Sequence, residues 1–174
     1  MSKSKKNIVL IGMPGCGKST IGKILADKLN YKYIDSDNFI EKKSGRSIEE
    51  LFDIGEDYFR KIESQIIKEA CHEERSVIST GGGVIKNSNN VELLKENGIV
   101  IFIDRPIENI VSDINISQRP LLKEDAIRLY DLYKERYDLY KKSCHVKIIN
   151  DSSIEKVIDD IKNYVLKNNI AIIL

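Results

Sequence analysis

At 174 residues the chain has the length of one compact domain, and 41% hydrophobic residues are enough for a core. Its 28 Lys and Arg residues nearly balance its 27 Asp and Glu residues, so the formal net charge is +1. A balanced charge gives the chain as a whole no electrostatic reason to bind nucleic acid or an anionic membrane. We therefore expect neither kind of partner, and any affinity for anions must be local.

The cysteines and the terminal segments indicate the compartment. Cys16, Cys71 and Cys144 lie far apart and form no CxxC pair, which argues against a disulfide framework and against a zinc site. The apolar runs 8–11 and 170–174 are too short for a membrane span or for the apolar region of a signal peptide. We expect a cytoplasmic protein with free thiols.

Short apolar runs alternate with amphipathic stretches along the chain. The runs predict buried strands at 7–11, 33–34, 77–78, 99–103 and 146–149. Apolar stripes at helical spacing occur within 19–29, 59–70, 129–140 and 154–165. This alternation predicts an α/β fold with a parallel sheet covered by helices on both faces. Ligands of such sheets bind beyond the carboxyl ends of the strands.

One segment interrupts the alternation. Residues 112–120 (SDINISQRP) are polar and lie between two helical patterns. The dipeptide Arg119-Pro120 disfavours continued helix, because a proline restricts the residue before it. This segment has the character of a mobile flap.

Residues 12–19 (GMPGCGKS) match the pattern G-x-x-x-x-G-K-[ST] between a predicted strand and an amphipathic helix. The glycines let backbone N–H groups turn toward phosphate oxygens, and the helix N-terminus adds the positive end of its dipole. In such a cradle Lys18 reaches the β- and γ-phosphates and the Ser19 hydroxyl binds Mg²⁺. The alternative is a glycine-rich turn with a solvated lysine, but the flanking strand and helix favour nucleotide binding.

Two aspartates, Asp35 and Asp37, follow the second apolar run. Alternate residues of an extended chain point to opposite sides, so one carboxylate could lie near the magnesium ion while the other faces the acceptor. The alternative is that Asp37 only caps the helix that begins after it.

Three further groups of residues bear on the acceptor. Arg60 and Glu63 lie three apart on one helix face, and Arg136 and Tyr140 lie four apart on another. The run Ser79-Thr80-Gly81-Gly82-Gly83 directly follows the third strand, where a loop approaches a ligand closely. From the residues alone, Arg60 could equally be half of a surface ion pair with Glu63, and Arg136 a solvated charge.

Together, these motifs resemble the shikimate kinase family over essentially the full chain. The resemblance rests on residues 12–19, Asp35-x-Asp37, Phe59-Arg60-x-x-Glu63, Thr80-Gly81-Gly82-Gly83, Arg119-Pro120-Leu121-Leu122 and Arg136-x-x-x-Tyr140. It implies a five-stranded parallel sheet flanked by helices on both faces, the P-loop fold of the nucleoside monophosphate kinase type. It also implies one kinase domain, 1–174, with an acceptor-binding region at about 37–62 and a short lid at about 112–122.

The resemblance further implies an activity and its residues. The γ-phosphoryl group of ATP passes to a hydroxyl of shikimate, giving 3-phosphoshikimate and ADP on the route to chorismate and the aromatic amino acids. ATP is bound by Gly15, Cys16, Gly17, Lys18, Ser19, Thr20 and Arg119. Shikimate is bound by Asp37, Arg60, Gly82 and Arg136. One Mg²⁺ per subunit is held by Ser19 and, through water, by Asp35. Lys18, Asp37 and the lid residue Arg119 act in catalysis, and a monomer is expected.

Elementary chemistry agrees with this assignment. The guanidinium forks of Arg60 and Arg136 suit the single carboxylate of shikimate. A carboxylate such as that of Asp37 suits a hydroxyl that loses its proton while attacking phosphorus. Gly82 can offer its backbone N–H without a side chain in the pocket.

The sequence departs from the family pattern in the lid. Many members have a second arginine a few residues before the R-P-L-L motif, where it can lie on the adenine; this chain has Asp113, Asn115 and Gln118 there. Residues 150–153 should lie near the adenine, but they equally fit a helix-capping turn. Cys16, inside the phosphate loop, is expected to be a bystander thiol.

Two other functions are compatible with the phosphate loop. A different small-molecule kinase, such as a gluconate kinase, would lack the pair Arg60 and Arg136. A regulatory module without catalysis would not need Lys18, Ser19 and Asp37 together with Arg119.

Overall fold

The computed structural model describes residues 7–113 and 122–168. The strands in these two ranges are β1 (Asn7–Ile11), β2 (Lys32–Asp35), β3 (Ser76–Ser79), β4 (Gly98–Asp104) and β5 (Val146–Ile149). The α-helices are α1 (Lys18–Leu29), α2 (Ser36–Ser44), α3 (Ile48–Ile54), α4 (Glu56–His72), α5 (Ser88–Asn97), α6 (Ile107–Ser112), α7 (Leu122–Ser143) and α8 (Ile154–Lys167). A short 3₁₀ helix (Val84–Lys86) lies between β3 and α5.

The five strands form one parallel sheet in the order β2-β3-β1-β4-β5. In the central strand, Val9 is aligned with Ile78 of β3 on one side and Val100 of β4 on the other. Every residue of β1 is buried, so the sheet is covered on both faces. The predicted five-stranded parallel sheet is confirmed.

The hydrophobic core is divided into two clusters. The larger one surrounds the sheet, where Phe102 of β4 stacks on the fully buried Tyr140 of α7 with ring centroids 5.1 Å apart. The smaller one joins α2, α3 and α4 through Ile40, Leu51 and Phe59. The segment expected to bind the acceptor therefore packs around a small core of its own.

The carboxyl ends of the five parallel strands lie along one edge of the sheet. In sheet order, the residues that directly follow them are Ser36, Thr80, Gly12, Arg105 and Asn150. This edge is where ligands of open α/β sheets bind.

The predicted lid is largely outside the described residues. Ser112 ends α6 and Asp113 caps it. Residues 114–121, including Arg119, are among those that the structure leaves undescribed. Within 7–113 and 122–168, no helix combines the length and the apolar character that a membrane crossing needs.

Candidate active site

The loop between β1 and α1 has the backbone of a phosphate cradle. Gly12, Gly15 and Gly17 have φ angles of 150°, 79° and 100°, which side chains rarely permit. A Cβ atom on Gly12 would lie 2.6 Å from the carbonyl oxygen of Ile103 in β4, so only glycine fits against that strand. Gly17 precedes α1 and supplies no side-chain cap, and the first turn of α1 contains no acidic residue. Neither the cap position nor the first turn of α1 therefore supplies a side chain that competes with an anion for the N–H groups of this helix end.

Lys18 directs its charge into this loop. Its side chain is buried, and its Nζ donates hydrogen bonds to the carbonyl oxygens of Gly12, at 2.8 Å, and Met13, at 3.0 Å. The Sγ atom of the fully buried Cys16 lies 3.7 Å from the same Nζ. An ammonium group is thus held where a bound phosphate chain would need it.

Asp35 is the hydrogen-bonding centre beside the cradle. Its Oδ2 accepts hydrogen bonds from the Ser19 hydroxyl, at 3.0 Å, and from the Tyr33 hydroxyl, at 3.2 Å. Its Oδ1 accepts from the backbone N–H groups of Asp37, at 3.1 Å, and Asn38, at 3.2 Å, which makes Asp35 the N-cap of α2. The alternative in which Asp37 is the cap is therefore wrong, because α2 begins two residues earlier than the sequence indicates.

Asp37 is released from capping and faces the glycine loop after β3. Its Oδ1 lies 2.7 Å from the position that a Cβ atom on Gly81 would take. Burial raises the pKa of this carboxyl, and the charge of Asp35 raises it further, whereas Lys18 and Arg60 act to lower it. The proton affinity of Asp37 is thus increased beside the phosphate loop.

Arg60 is fixed on the inner side of α4. Its Nη1 donates to Glu63 Oε2 at 2.8 Å, and its Nε and Nη2 contact Glu56 Oε1 at 3.3 and 3.2 Å. The guanidinium also lies over the rings of Phe59 and Phe52, 5.0 and 5.7 Å from their centroids. Burial raises the pKa of Glu63, and Arg60 opposes that increase. The ion pair with Glu63 is real, and it orients Arg60 rather than leaving it in solvent.

Arg136 and Tyr140 reach the same loop from α7. The Tyr140 hydroxyl donates to the carbonyl oxygen of Gly82 at 2.6 Å. Burial raises the pKa of Tyr140, while the nearby Arg136 acts to lower it. Arg136 also acts to lower the pKa of Glu63, which places its charge close to Arg60. Its Nε is buried and has no hydrogen-bond partner among the described residues.

A separate cavity of about 300 Å³ opens on the other side of the phosphate loop. Its lining includes Gly17, Thr20, Arg105, Asn109 and Asn150. Asn150 Nδ2 donates to the Cys16 carbonyl oxygen at 2.9 Å, so the turn after β5 contacts the loop. Arg105 Nη1 donates to the Gly15 carbonyl oxygen at 3.0 Å and to Asp113 Oδ2 at 2.7 Å.

Several of these residues were not among the predicted site residues. Arg105 and Asn150 follow β4 and β5, so the rule that ligands bind at strand ends could have found them. Tyr33 contacts Asp35 through a hydrogen bond that sequence spacing alone does not reveal, whereas the spacing of Arg60 and Glu63 already indicated their ion pair. The turn at 150–153 caps α8, because Ser153 accepts from the N–H of Lys156, and Asn150 contacts the phosphate loop. Its nearness to the adenine stays a prediction.

The fold and this loop define a class of protein. A central buried strand leads through a glycine-rich turn into a helix, and a buried lysine lies inside the turn. Carboxylates and guanidinium groups lie on one side of this turn, and a cavity opens on the other side. The molecule is a P-loop phosphotransferase of the nucleoside monophosphate kinase type.

Comparison with known proteins identifies the family. The family model for shikimate kinase matches residues 14–166. A shikimate kinase of Clostridium botulinum (strain Alaska E43 / Type E3) is 55% identical over 164 residues, covering 94% of this chain and 99% of the relative. One of Clostridium beijerinckii is 48% identical over 165 residues, covering 94% and 97%. The chain belongs to the shikimate kinase family.

A solved structure supports the same conclusion. Shikimate kinase from Acinetobacter baumannii, in complex with shikimate, superposes with a TM-score of 0.85 at 34% identity and covers 94% of each chain. The family transfers a phosphoryl group from ATP to a hydroxyl of shikimate, and the family and activity predicted from the six motifs are confirmed.

Proposed function

We propose that three neighbouring groups of residues share the transfer of the γ-phosphoryl group from ATP to shikimate. One group binds the acceptor, one holds the phosphates and one holds the base of the nucleotide. The observation that carries this proposal is the meeting of a carboxylate, a guanidinium group and the phosphate loop at residues 81–83. Asp37 Oδ1 lies beside the Cβ position of Gly81, the Pro14 ring beside that of Gly82 and the Arg60 guanidinium beside that of Gly83.

Arg60 and Arg136 bind the carboxylate of shikimate. A buried donor without a partner, such as Arg136 Nε, costs stability that a bound carboxylate would recover. Arg60 is held by Glu63 with its planar fork fixed, which reduces the entropy lost when a second carboxylate binds. Gly82 offers its backbone N–H beside them.

Asp37 accepts the proton of the attacking hydroxyl. A carboxylate with raised proton affinity is a better base than one in water, and the charge of Lys18 opposes the rise in the pKa of Asp37. Asp37 also orients the hydroxyl toward the phosphate loop, since residues 81–83 contact both Asp37 and that loop. The Pro14 ring of that loop is 2.9 Å from the Cβ position of Gly82.

Ser19 and Asp35 suit a magnesium ion. Both offer oxygen, the ligand atom that Mg²⁺ prefers, and the described residues contain no larger cluster of acidic, His and Cys side chains that could hold a metal. Four donors already occupy the lone-pair sites of Asp35, so its contact with the ion would pass through water. When bound, Mg²⁺ neutralises charge on the β- and γ-phosphates.

The cavity of about 300 Å³ beside Gly17 receives the adenine. Arg105 lines it with a planar guanidinium group, which stacks on aromatic faces. This would replace the lid arginine that many family members have. Arg119, which lies outside the described residues, is proposed to reach the phosphates from the lid at about 112–122.

The proposal also covers the extent of the domain, the compartment, the oligomeric state and the partners. The whole chain, 1–174, acts as one kinase domain in which residues at about 37–62 bind the acceptor. The enzyme acts as a cytoplasmic monomer. It has no nucleic-acid or membrane partners, which the balanced net charge of +1 supports.

A coupled assay of ADP release tests the proposal. We expect turnover with shikimate to exceed that with quinate, gluconate and nucleoside monophosphates, and to stop when a chelator removes Mg²⁺. Lys18→Ala should leave less than about a tenth of kcat, a loss above ~1.4 kcal/mol in the barrier. A preference for gluconate, or a Lys18→Ala variant with near-normal kcat, would contradict it.

A further inference from the structure

Five charged side chains of alternating sign connect the two arginines that face the acceptor. In spatial order they are Arg60, Glu56, Lys86, Glu135 and Arg136. Glu56 Oε1 lies 3.2 Å from Arg60 Nη2 and 2.7 Å from Lys86 Nζ. Glu135 Oε1 lies 4.0 Å from Lys86 Nζ and 3.7 Å from Arg136 Nε. This charge chain joins α4, the 3₁₀ helix and α7.

The charge chain has a buried side and a solvent side. The side chains of Arg60 and Arg136 are 17% and 12% exposed, whereas Glu56 and Glu135 are 47% and 52% exposed. Lys86 lies between them at 35%. Ion pairs this exposed contribute little to stability, because water screens them. Their main effect must therefore be on the direction and availability of the two guanidinium groups.

Glu135 stops short of the arginine beside it. A separation of 3.7 Å from Arg136 Nε is too long for a hydrogen bond, although that N–H has no other partner among the described residues. Lys86 Nζ lies 4.0 Å from the same oxygen of Glu135. At the Arg60 end of the charge chain, Lys86 and Arg60 both lower the pKa of Glu56, and Lys86 has the larger effect. Both glutamates thus lie between one of the arginines and the same lysine.

Lys86 is well placed for this role. It is the last residue of the 3₁₀ helix that follows residues 81–83. Val84 and Ile85 are buried, so the backbone that carries Lys86 is anchored to the core. From this anchored position its ammonium group reaches Glu56 at 2.7 Å and lies 4.0 Å from Glu135.

We propose that Lys86 is a positioning residue for the acceptor: it shares Glu56 with Arg60 and lies beside Glu135, so that both glutamates compete less strongly with a carboxylate ligand for the two guanidinium groups. This inference rests on the proposed role of the two arginines. Without Lys86, the two glutamates compete with the acceptor carboxylate for the same N–H groups.

The first test is Lys86→Met, which removes the charge and keeps most of the side-chain length. We expect the KM for shikimate to rise about three- to tenfold, the scale of a partly screened charge interaction. The kcat, the KM for ATP and the melting temperature should stay close to wild type, and Lys86→Arg should restore the KM. The matched control is Lys43→Met, because Lys43 pairs with Glu69 of α4, the helix that also carries Arg60. Glu69 lies about 13 Å along that helix from Arg60, at roughly 1.5 Å per residue.

A second test separates the glutamates from simple attraction of an anion. In a Glu56→Gln, Glu135→Gln background, Lys86→Met should change the KM for shikimate less than twofold, since nothing remains for the lysine to hold. An unchanged KM in the single variant, or an equal rise in both backgrounds, would overturn the role of Lys86. A failure of Arg60→Ala to raise the KM for shikimate would instead overturn the proposed acceptor site.

Discussion

The surroundings of Asp37 disfavour its ionised carboxylate, and this reduces the stability of the fold. A carboxyl whose pKa is higher in the folded than in the unfolded state makes its full contribution to stability below its unfolded pKa, and that contribution is lost as the pH rises through the folded pKa. Burial raises the pKa of Asp37, so its ionised form disfavours the native state at neutral pH. A residue retained at such a cost is expected to serve function.

Asp37→Asn should therefore change activity and stability in opposite directions. We expect kcat to fall by at least ~10²-fold, the scale of a lost acid–base group. The melting temperature should rise at pH 7.5, and this gain should shrink near pH 4, because more of the wild-type carboxyl is protonated as the pH falls. Thermal unfolding at both pH values and steady-state kinetics measure these effects. Asp53→Asn, at the exposed end of α3, is the control for loss of one negative charge.

Near-normal turnover of Asp37→Asn would show that Asp37 is not the base. Capping cannot explain a loss of activity, because Asp35 accepts the N–H bonds at the start of α2. The sequence could place Lys18 and Ser19 through their motif, but apart from the family resemblance it could not choose between the two aspartates. That choice depends on where α2 begins, and helix ends are uncertain by one or two residues.

The loop at 81–83 shows why three glycines follow β3. A Cβ atom would lie 2.7 Å from Asp37 Oδ1 at Gly81, 2.9 Å from Pro14 Cδ at Gly82, and 2.6 Å from Arg60 Nη1 at Gly83. The φ angle of Gly83 is −99°, which any residue can adopt. Glycine is required at this position for close approach and not for backbone conformation.

Gly83→Ala should consequently act on the acceptor through Arg60. The added methyl group displaces a guanidinium that the buried Glu63 holds, so we expect the KM for shikimate to rise about tenfold, as for one charge-assisted contact. The KM for ATP should be unchanged. Arg60→Ala should give a similar rise, and the double variant should be little worse than either, because both changes remove one interaction. Strictly additive effects would contradict this explanation.

Strong periodic elements were predictable and short or polar ones were not. The buried runs of β1 and β4 are five and seven residues long and almost free of polar side chains. The edge strand β2 is half-exposed, and the sequence indicated only its middle. The helices α3 and α6 have seven and six residues, too few to show a helical stripe, and the polar α5 buries only Asn90 and Leu94.

At the scale of the whole molecule, the strand order distributes the three parts of the site. Asp35 and Asp37 follow β2, and residues 81–83 follow β3, on the acceptor side. The phosphate loop follows β1 at the centre of the sheet. Arg105 and Asn150 follow β4 and β5 on the other side, next to the cavity proposed for adenine. Sequence alone could not give this order, because neighbouring strands in the sheet are not consecutive in the chain.

This arrangement predicts that the two substrates can be disturbed separately. Arg105→Ala removes a guanidinium from the cavity and a hydrogen bond to Gly15, so we expect the KM for ATP to rise about tenfold, with the KM for shikimate unchanged. Gly83→Ala should do the reverse. The two positions lie on opposite sides of β1, and distant changes usually add, so the double variant should show both increases at their single-variant size. Arg46→Ala, in the exposed connection before α3, is the control for loss of an arginine. A parallel rise in both KM values for Arg105→Ala would show that this residue supports the phosphate loop as a whole and does not position the nucleotide base.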